Sequence, residues 1–290
     1  MPSFLVTGSE GQLGRCFQAV AKEFPGHQLI FTKKNILDLT LPNTFEQIYQ
    51  IEPFDGIINC AAYTQVDRAE EESLLAQSVN VDGIKNIIDF AEEKALSIIH
   101  FSTDYVFDGI TTNPYIEDFP PQPINAYGHS KYLGEEILKK ASCPHIIIRL
   151  SWLFSPFGRN FVKTILKLSL AKETIKVVND QHGRPTYGID LAKTVLKLIS
   201  NDTINTLPIL HYANKGICNW KEFAEAIVNE SGNKTQVIGV STSDYPTLAK
   251  RPKYSILDTE RIEKKLGINI PTWQESLKKC VQILKSDGSL

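Results

Sequence analysis

Short β-rich apolar runs alternate with segments of helical pattern along most of this chain, and that alternation limits the fold more than any other feature. "SFLVT" (3–7) precedes a helical pattern at 12–23, "LIFT" (29–32) one at 43–50, "GIIN" (56–59) a helical region reaching about residue 95, and "SIIHFS" (97–102) one at 126–140; "HIIIRL" (145–150) closes the series. Strands separated by helices run back in the same direction through right-handed crossovers and build a parallel sheet. Helices cover both faces of such a sheet, so its strands carry unbroken apolar runs such as "IIIRL". The expected class is α/β, a Rossmann-type doubly wound parallel sheet.

The pattern continues past residue 150 with a helix at 160–171, the strand "IKVV" (175–178), the loop "NDQHGRPTYG" (179–188), a helix at 189–200, the strand "ILHYA" (209–213) and a helix at 220–231. An irregular stretch, "STSDYPTLAKRPKYS" (241–255), then leads to amphipathic helices at 258–266 and 273–285. We expect a first domain over 1–150, with 174–213 returning to it, and a smaller C-terminal lobe built from 151–173 and 214–290. Proline-rich "NPYIEDFPPQPIN" (113–125) can continue neither helix nor central strand and reads as a long loop. Loops of that length in a compact domain are often functional.

Of the 290 residues 42% are hydrophobic, ample for a buried core. Lysine and arginine number 31 against 33 acids, a net charge of -2, so no whole-molecule field draws in nucleic acid or a membrane surface. No stretch approaches the roughly 20 apolar residues of a membrane span. The opening residues show no basic region, apolar run or cleavage site of an export leader. Cys16, Cys60, Cys143, Cys218 and Cys280 are odd in number and never paired as C-x-x-C, which suggests neither a disulfide framework nor a thiolate metal site. The six histidines show no ligand spacing. We therefore expect a cytoplasmic protein with no metal ligand set, partnered through local sites.

"VTGSEGQLG" (6–14) follows the first strand and opens the first helix, with Gly8, Gly11 and Gly14 spaced G-x-x-G-x-x-G. Glycine is needed at the turn, where backbone approaches a pyrophosphate, and where helix packs closely on strand. The helix N–H groups and dipole then face the anion. A plain tight turn would use similar residues, but the order strand, glycines, helix is the context a dinucleotide site demands. The second strand lacks the acid that would hold a ribose 2′-OH and carries Thr32, Lys33 and Lys34 instead. A hydroxyl and two cations suit a 2′-phosphate, so NADPH is the expected cofactor, with NADH also accepted; lysines that are merely solvated are the competing reading.

"NAYGHSKYLGEE" (125–136) sets Tyr127 four residues before Lys131. On a helix the two share one face, with Cβ atoms about 6 Å apart. A tyrosine, with a reference pKa near 10, exchanges protons poorly at neutral pH unless a cation favours its ionised form. Among ten tyrosines one such pairing is expected by chance, so its surroundings must decide. "SIIHFSTDYVFDG" ends the fourth strand with Ser102 and Thr103, where ligands of parallel sheets bind and where a hydroxyl can hold charge developing on a carbonyl oxygen. "NCAAYTQVD" ends the third with small Cys60, Ala61 and Ala62, leaving room for a cofactor against the backbone.

The glycine motif, Asp38-Leu39, "NCAAYT", "STDYVF", Y-x-x-x-K and "RLSWLF" together resemble the extended short-chain dehydrogenase/reductases. The strings "AAYTQVDRAE", "STDYVFDG", "NDQHGRPT" and "AKRP" are similar to the dTDP-4-dehydrorhamnose reductase family among them, over residues 3 to 280. Cys60 and Tyr63 depart from the alanine and histidine that this family often has there. The resemblance implies reduction of the C4 ketone of a dTDP-sugar, dTDP-4-dehydro-β-L-rhamnose, to dTDP-L-rhamnose. It implies a proton exchanged by Tyr127, Lys131 holding the nicotinamide ribose and lowering the Tyr127 pKa, Thr103 and Asp104 on the sugar, and Trp152 bordering it. Gly11, Gln12 and Leu13 would meet the pyrophosphate, Asp38 and Leu39 the adenine, and Ala62, Tyr63 and Thr64 the nicotinamide side, with Gln181, Arg184 and Arg251 on the nucleotide-sugar. An NAD-recycling epimerase or 4,6-dehydratase, and a non-catalytic regulatory subunit like methionine adenosyltransferase β, share the scaffold; Tyr105 after Asp104 weakens the dehydratase reading. A homodimer and a structural magnesium ion stay open, since no residue pattern derives either.

Overall fold

The computed structural model describes residues 1–201, 204 and 208–288. Its strands in chain order are β1 (Ser3–Thr7), β2 (Gln28–Phe31), β3 (Gly56–Asn59), β4 (Ser97–Thr103), β5 (His145–Leu150), β6 (Leu153–Phe154), β7 (Thr174–Val178), β8 (His182–Gly183), β9 (Thr186–Tyr187), β10 (Ile209–Tyr212), β11 (Cys218–Asn219) and β12 (Gln236–Val240). The helices are α1 (Gln12–Val20), α2 (Asn43–Ile51), α3 (Ser73–Gln77), α4 (Gly83–Lys94), α5 (Ala126–Leu138), α6 (Phe161–Ala171), α7 (Gly188–Ser200), α8 (Trp220–Ser231), α9 (Glu260–Leu266) and α10 (Trp273–Ser286). Among the described residues, no helix is long and apolar enough to cross a membrane.

Six strands form one parallel sheet in the order β10-β5-β4-β3-β1-β2. Strand order reverses at β1, which has β2 on one side and β3 on the other. Such a reversal opens a crevice beyond the carboxyl ends of the strands, where α/β proteins bind their ligands. Phe17, Leu191, Val195 and Ile148 pack on one face of the sheet and Phe45, Ile84, Ile87 and Ile147 on the other, which is why β5 is apolar on both sides.

Several polar groups inside this core are paired. Arg149 of β5 and Glu135 of α5, both essentially inaccessible, form a two-pronged ion pair, Nε to Oε1 at 2.9 Å and Nη2 to Oε2 at 2.6 Å. Between α3 and α4 the helix widens into a π turn at Ser78–Asp82. Buried Asn80 in that turn accepts from Tyr63 N–H and donates to the Tyr63 carbonyl and Ser130 Oγ, so the strand-end loop after β3 is tied to α5.

The second lobe has its own core, Phe154, Ile165, Leu166, Phe223, Ile227, Leu277 and Val281 among them, drawn from β6, α6, α8 and α10. The segment 174–213 divides between the two lobes. Its α7 packs on α1 and its β10 pairs with β5, whereas β7 pairs with β12 in a separate two-stranded ribbon. The long loop at 113–125 is pinned by Tyr115, buried and stacked on Phe107 with ring centroids 4.2 Å apart, and bridged to Leu257.

Candidate active site

The glycine turn is built around one left-handed residue. Gly8 has φ +61°, and a Cβ there would lie 2.8 Å from the backbone nitrogen and Cα of Ala61 at the end of β3. A Cβ on Gly14 would meet the Gly8 carbonyl oxygen at 2.5 Å, so α1 sits directly on the turn. Gly11, the N-cap of α1, is extended and offers no side-chain cap, which leaves the first amides of the helix to other acceptors. This cradle suits a pyrophosphate.

Two cavities meet at the cradle. One of about 450 Å³ is bounded by Gly8, Gly11, Asp38, Leu39, Ala61 and Tyr63. Asp38 is held there by the amide and hydroxyl of Thr40, at 3.0 and 2.8 Å. The other, about 410 Å³, runs from Gly11, Gln12 and Leu13 past Ala62 and Thr64 to Thr103, Asp104, Tyr127, Lys131 and Trp152. Gln12 points a buried, unpartnered Nε2 at this region. Ala62 and Thr64, expected on the nicotinamide side, line the second cavity. Tyr63 does not: its hydroxyl donates to Glu72 Oε2 at 2.6 Å and its ring borders the first cavity.

Asn125 starts α5 as its N-cap, accepting from Gly128 N–H at 2.7 Å, and so fixes the helix that carries Tyr127 and Lys131. Thr103 ends β4 beside them, its hydroxyl donating to Asp104 Oδ1 at 3.1 Å and accepting from Tyr105 N–H at 3.2 Å. Burial pushes the Tyr127 phenol up to about 12, with the Thr103 side chain pulling it down and the Asp104 carboxylate adding to the rise. The expected acidification of Tyr127 by Lys131 is therefore not what the site displays. The Lys131 ammonium position is taken by the Phe101 carbonyl at 2.7 Å and His100 Nε2 at 3.2 Å, and burial brings that amine down to about 8. Burial likewise raises Asp104 to about 7, with hydrogen bonds from Ser255 and Thr103 opposing it.

Trp152 has a left-handed backbone, φ +47°, and stacks on Trp220 with centroids 3.5 Å apart. The pair forms one wall of the cavity, and Arg159 stands exposed at another part of its lining. Trp220, Arg159 and His100 escaped sequence reasoning. The first two lie far along the chain in the second lobe, and His100 sits mid-strand, where a histidine reads as packing; its place three residues before Thr103 was the available signal. Gln181, Arg184 and Arg251 lie outside this cavity. Gln181 is buried and donates to Thr242 at 3.0 Å, Arg184 donates to the Leu257 carbonyl at 2.9 Å, and Arg251 grips Asp67 with contacts of 3.0 and 2.6 Å. Thr32, offered for a 2′-phosphate, is buried with its hydroxyl 3.3 Å from the Val6 carbonyl. Lys33 lines a cavity with Arg15 and lies loosely against Glu10, at 4.0 Å, as Lys34 does against Asp38, at 3.9 Å.

A family model described as the RmlD substrate binding domain matches residues 2–286. The chain belongs to this family. Several curated relatives are similar along nearly their whole length. The spore coat polysaccharide biosynthesis protein SpsK of Bacillus subtilis is 39% identical over 97% of this chain and 98% of its own. Among solved structures, a dTDP-4-dehydrorhamnose reductase from Clostridium acetobutylicum superposes with a TM-score of 0.92 at 37% identity, covering 98% and 99% of the two chains. The dTDP-4-dehydrorhamnose reductase of Bacillus anthracis, solved in complex with NADP, gives 0.89 at 36% identity over 97% and 98%.

Proposed function

We propose that this protein is an NADPH-dependent reductase that converts the C4 ketone of dTDP-4-dehydro-β-L-rhamnose to the alcohol of dTDP-L-rhamnose. The observation that carries this reading is the meeting of Thr103, Tyr127 and Lys131 in one cavity that continues into the glycine cradle. The relatives' names supply the sugar and the nucleotide, and the NADP complex supports the cofactor.

The cradle of Gly8, Gly11, Gln12 and Leu13 would hold the NADPH pyrophosphate, with Asp38 and Leu39 toward the adenine and Ala62 and Thr64 toward the nicotinamide. The bound cofactor supplies hydride. Every other requirement falls on side chains. Thr103 is placed to hydrogen-bond the ketone oxygen and to hold the charge that grows on it. Tyr127, kept protonated by burial, is the proton donor to that oxygen, and a phenol at about 12 remains acidic enough to protonate an alkoxide. Lys131 would return a proton to the phenolate left behind. Trp152 and Trp220 exclude water from one side of the sugar, and Arg159 offers a cation to the diphosphate.

Tyr127→Phe keeps the ring and removes the proton. It should lower kcat/KM by about 10²- to 10⁴-fold while leaving NADPH binding intact, followed by loss of reduced-nicotinamide absorbance against a panel of nucleotide 4-keto-sugars. Wild-type turnover in that variant, or recycling of cofactor without net consumption by the native protein, overturns the assignment.

A further inference from the structure

Lys131 is a buried amine without a counter-ion. Its residue is 2% exposed, and no carboxylate among the described residues lies within 4.0 Å of it. Its neighbours in the fold are Glu135 one turn along α5, already committed to Arg149 of β5; Tyr127 on the same helix; Asp104 at the end of β4; and Cys60 and Arg159 across the cavity. Nζ instead meets the Phe101 carbonyl at 2.7 Å and the imidazole of His100 at 3.2 Å.

The hydrogen-bond chain behind His100 fixes where its proton resides. Thr7 Oγ1 donates to Asn59 Oδ1 at 2.6 Å, and Ala61 N–H approaches the same oxygen at 3.3 Å. The Asn59 amide nitrogen therefore faces His100 Nδ1, at 3.1 Å, and being donor only it requires Nδ1 to accept. Burial holds the His100 imidazole well below its ordinary pKa, so the ring is neutral and carries a single N–H. That N–H must be on Nε2, pointing at Lys131. An ammonium there would set donor against donor; an uncharged amine offers a lone pair to accept it, while one of its own hydrogens still reaches the Phe101 carbonyl.

We propose that His100 is a positioning residue, whose Nε2–H is donated to Lys131 Nζ and stabilises the uncharged amine. The Thr7–Asn59–His100 chain is thus the device that lets Lys131 release and recover its proton close to neutral pH, the range in which a proton-exchanging group works best. Burial acts on the amine in the same direction. The role assigned to Lys131 rests on the reductase reading, but the tautomer and the charge do not.

Two measurements test the inference and fail separately. In the first, wild-type protein labelled with 15N at histidine and lysine is titrated by NMR. His100 should show the Nε2–H tautomer throughout, and the Lys131 resonance should titrate near 8. An Nδ1–H tautomer, or an ammonium that persists to about pH 10 as in a free lysine, overturns the proposal whatever the protein reduces. In the second, kcat is followed against pH for the native enzyme and His100→Gln, whose amide oxygen can turn to accept from an ammonium. The alkaline limb should move up by about one pH unit. A uniform fall in kcat with the limb unmoved would leave His100 a packing residue. Absence of turnover with every keto-sugar sinks the reductase reading but leaves the NMR result standing.

Discussion

Replacing Gly8 with alanine tests the cradle directly, and the structure supplies its own control. At φ +61° any residue with a Cβ is strained, by about 1–2 kcal/mol. The added methyl would also lie 2.8 Å from Ala61 N and Cα and 3.0 Å from the Cys60 carbonyl carbon. Those atoms cannot easily retreat, because Ala61 N–H is held by Thr7 Oγ1 and Asn59 Oδ1, both at 3.3 Å. Forced overpacking of this kind adds about 1–3 kcal/mol. Gly232, which caps α8 at φ +84°, has nothing within 4 Å of its notional Cβ, so alanine there incurs the backbone strain alone. At roughly 2–4 °C of Tm per kcal/mol for a chain of this order, Gly8→Ala should lower Tm by about 4–20 °C and Gly232→Ala by about 2–8 °C. NADPH binding, followed by fluorescence titration, should weaken at least about tenfold in Gly8→Ala, each such factor being about 1.4 kcal/mol, and be untouched in Gly232→Ala. Equal Tm losses in the two variants, or native NADPH affinity in Gly8→Ala, would refute the claim that the turn is shaped by its contact with the end of β3.

Arg149→Met should destabilise the protein by about 3–5 kcal/mol in urea denaturation, because the inaccessible Glu135 carboxylate loses its two-pronged partner. Adding Glu135→Leu should restore most of that loss, and a double variant as unstable as the single one would show that packing, not charge, is at stake. Lys131→Met should abolish turnover yet stabilise the fold at pH 7. In the folded protein the amine sits at about 8 against 10.5 for an ordinary lysine, so its burial penalty is present in full below about pH 8 and disappears as pH rises toward 10.5. The gain, at most about 3 kcal/mol, should therefore fade in melts taken across that interval; a constant difference would contradict it.

The sheet was legible because its strands are short, apolar on both faces and punctuated by helices, and β1, β3, β4 and β5 fall on "SFLVT", "GIIN", "SIIHFS" and "HIIIRL". β7 shows the limit of that reasoning. "IKVV" has the composition of a sheet strand, but its partner β12 lies some sixty residues away, and pairing between two such runs leaves no local trace. The site divides in the same manner. Tyr127 and Lys131 were readable because four residues on a helix define one face. Their energetics were not, since the atoms nearest Lys131 come from the neighbouring strand. Arg251 and Arg184 looked like free cations for a nucleotide, but charge in a loop says nothing of whether an acid such as Asp67, or a carbonyl such as that of Leu257, is waiting in the fold.

The last strand of the six-stranded sheet, β10, is contributed by chain that has already travelled through α6 and β7 of the other lobe, and α7 covers the face that α1 shares. A protein truncated after Leu150 would thus expose the full flank of β5 and strip the apolar cover from α1, inviting edge-to-edge aggregation. The halves of this molecule are woven, and a working nucleotide module cannot be harvested from it by cutting the polypeptide once.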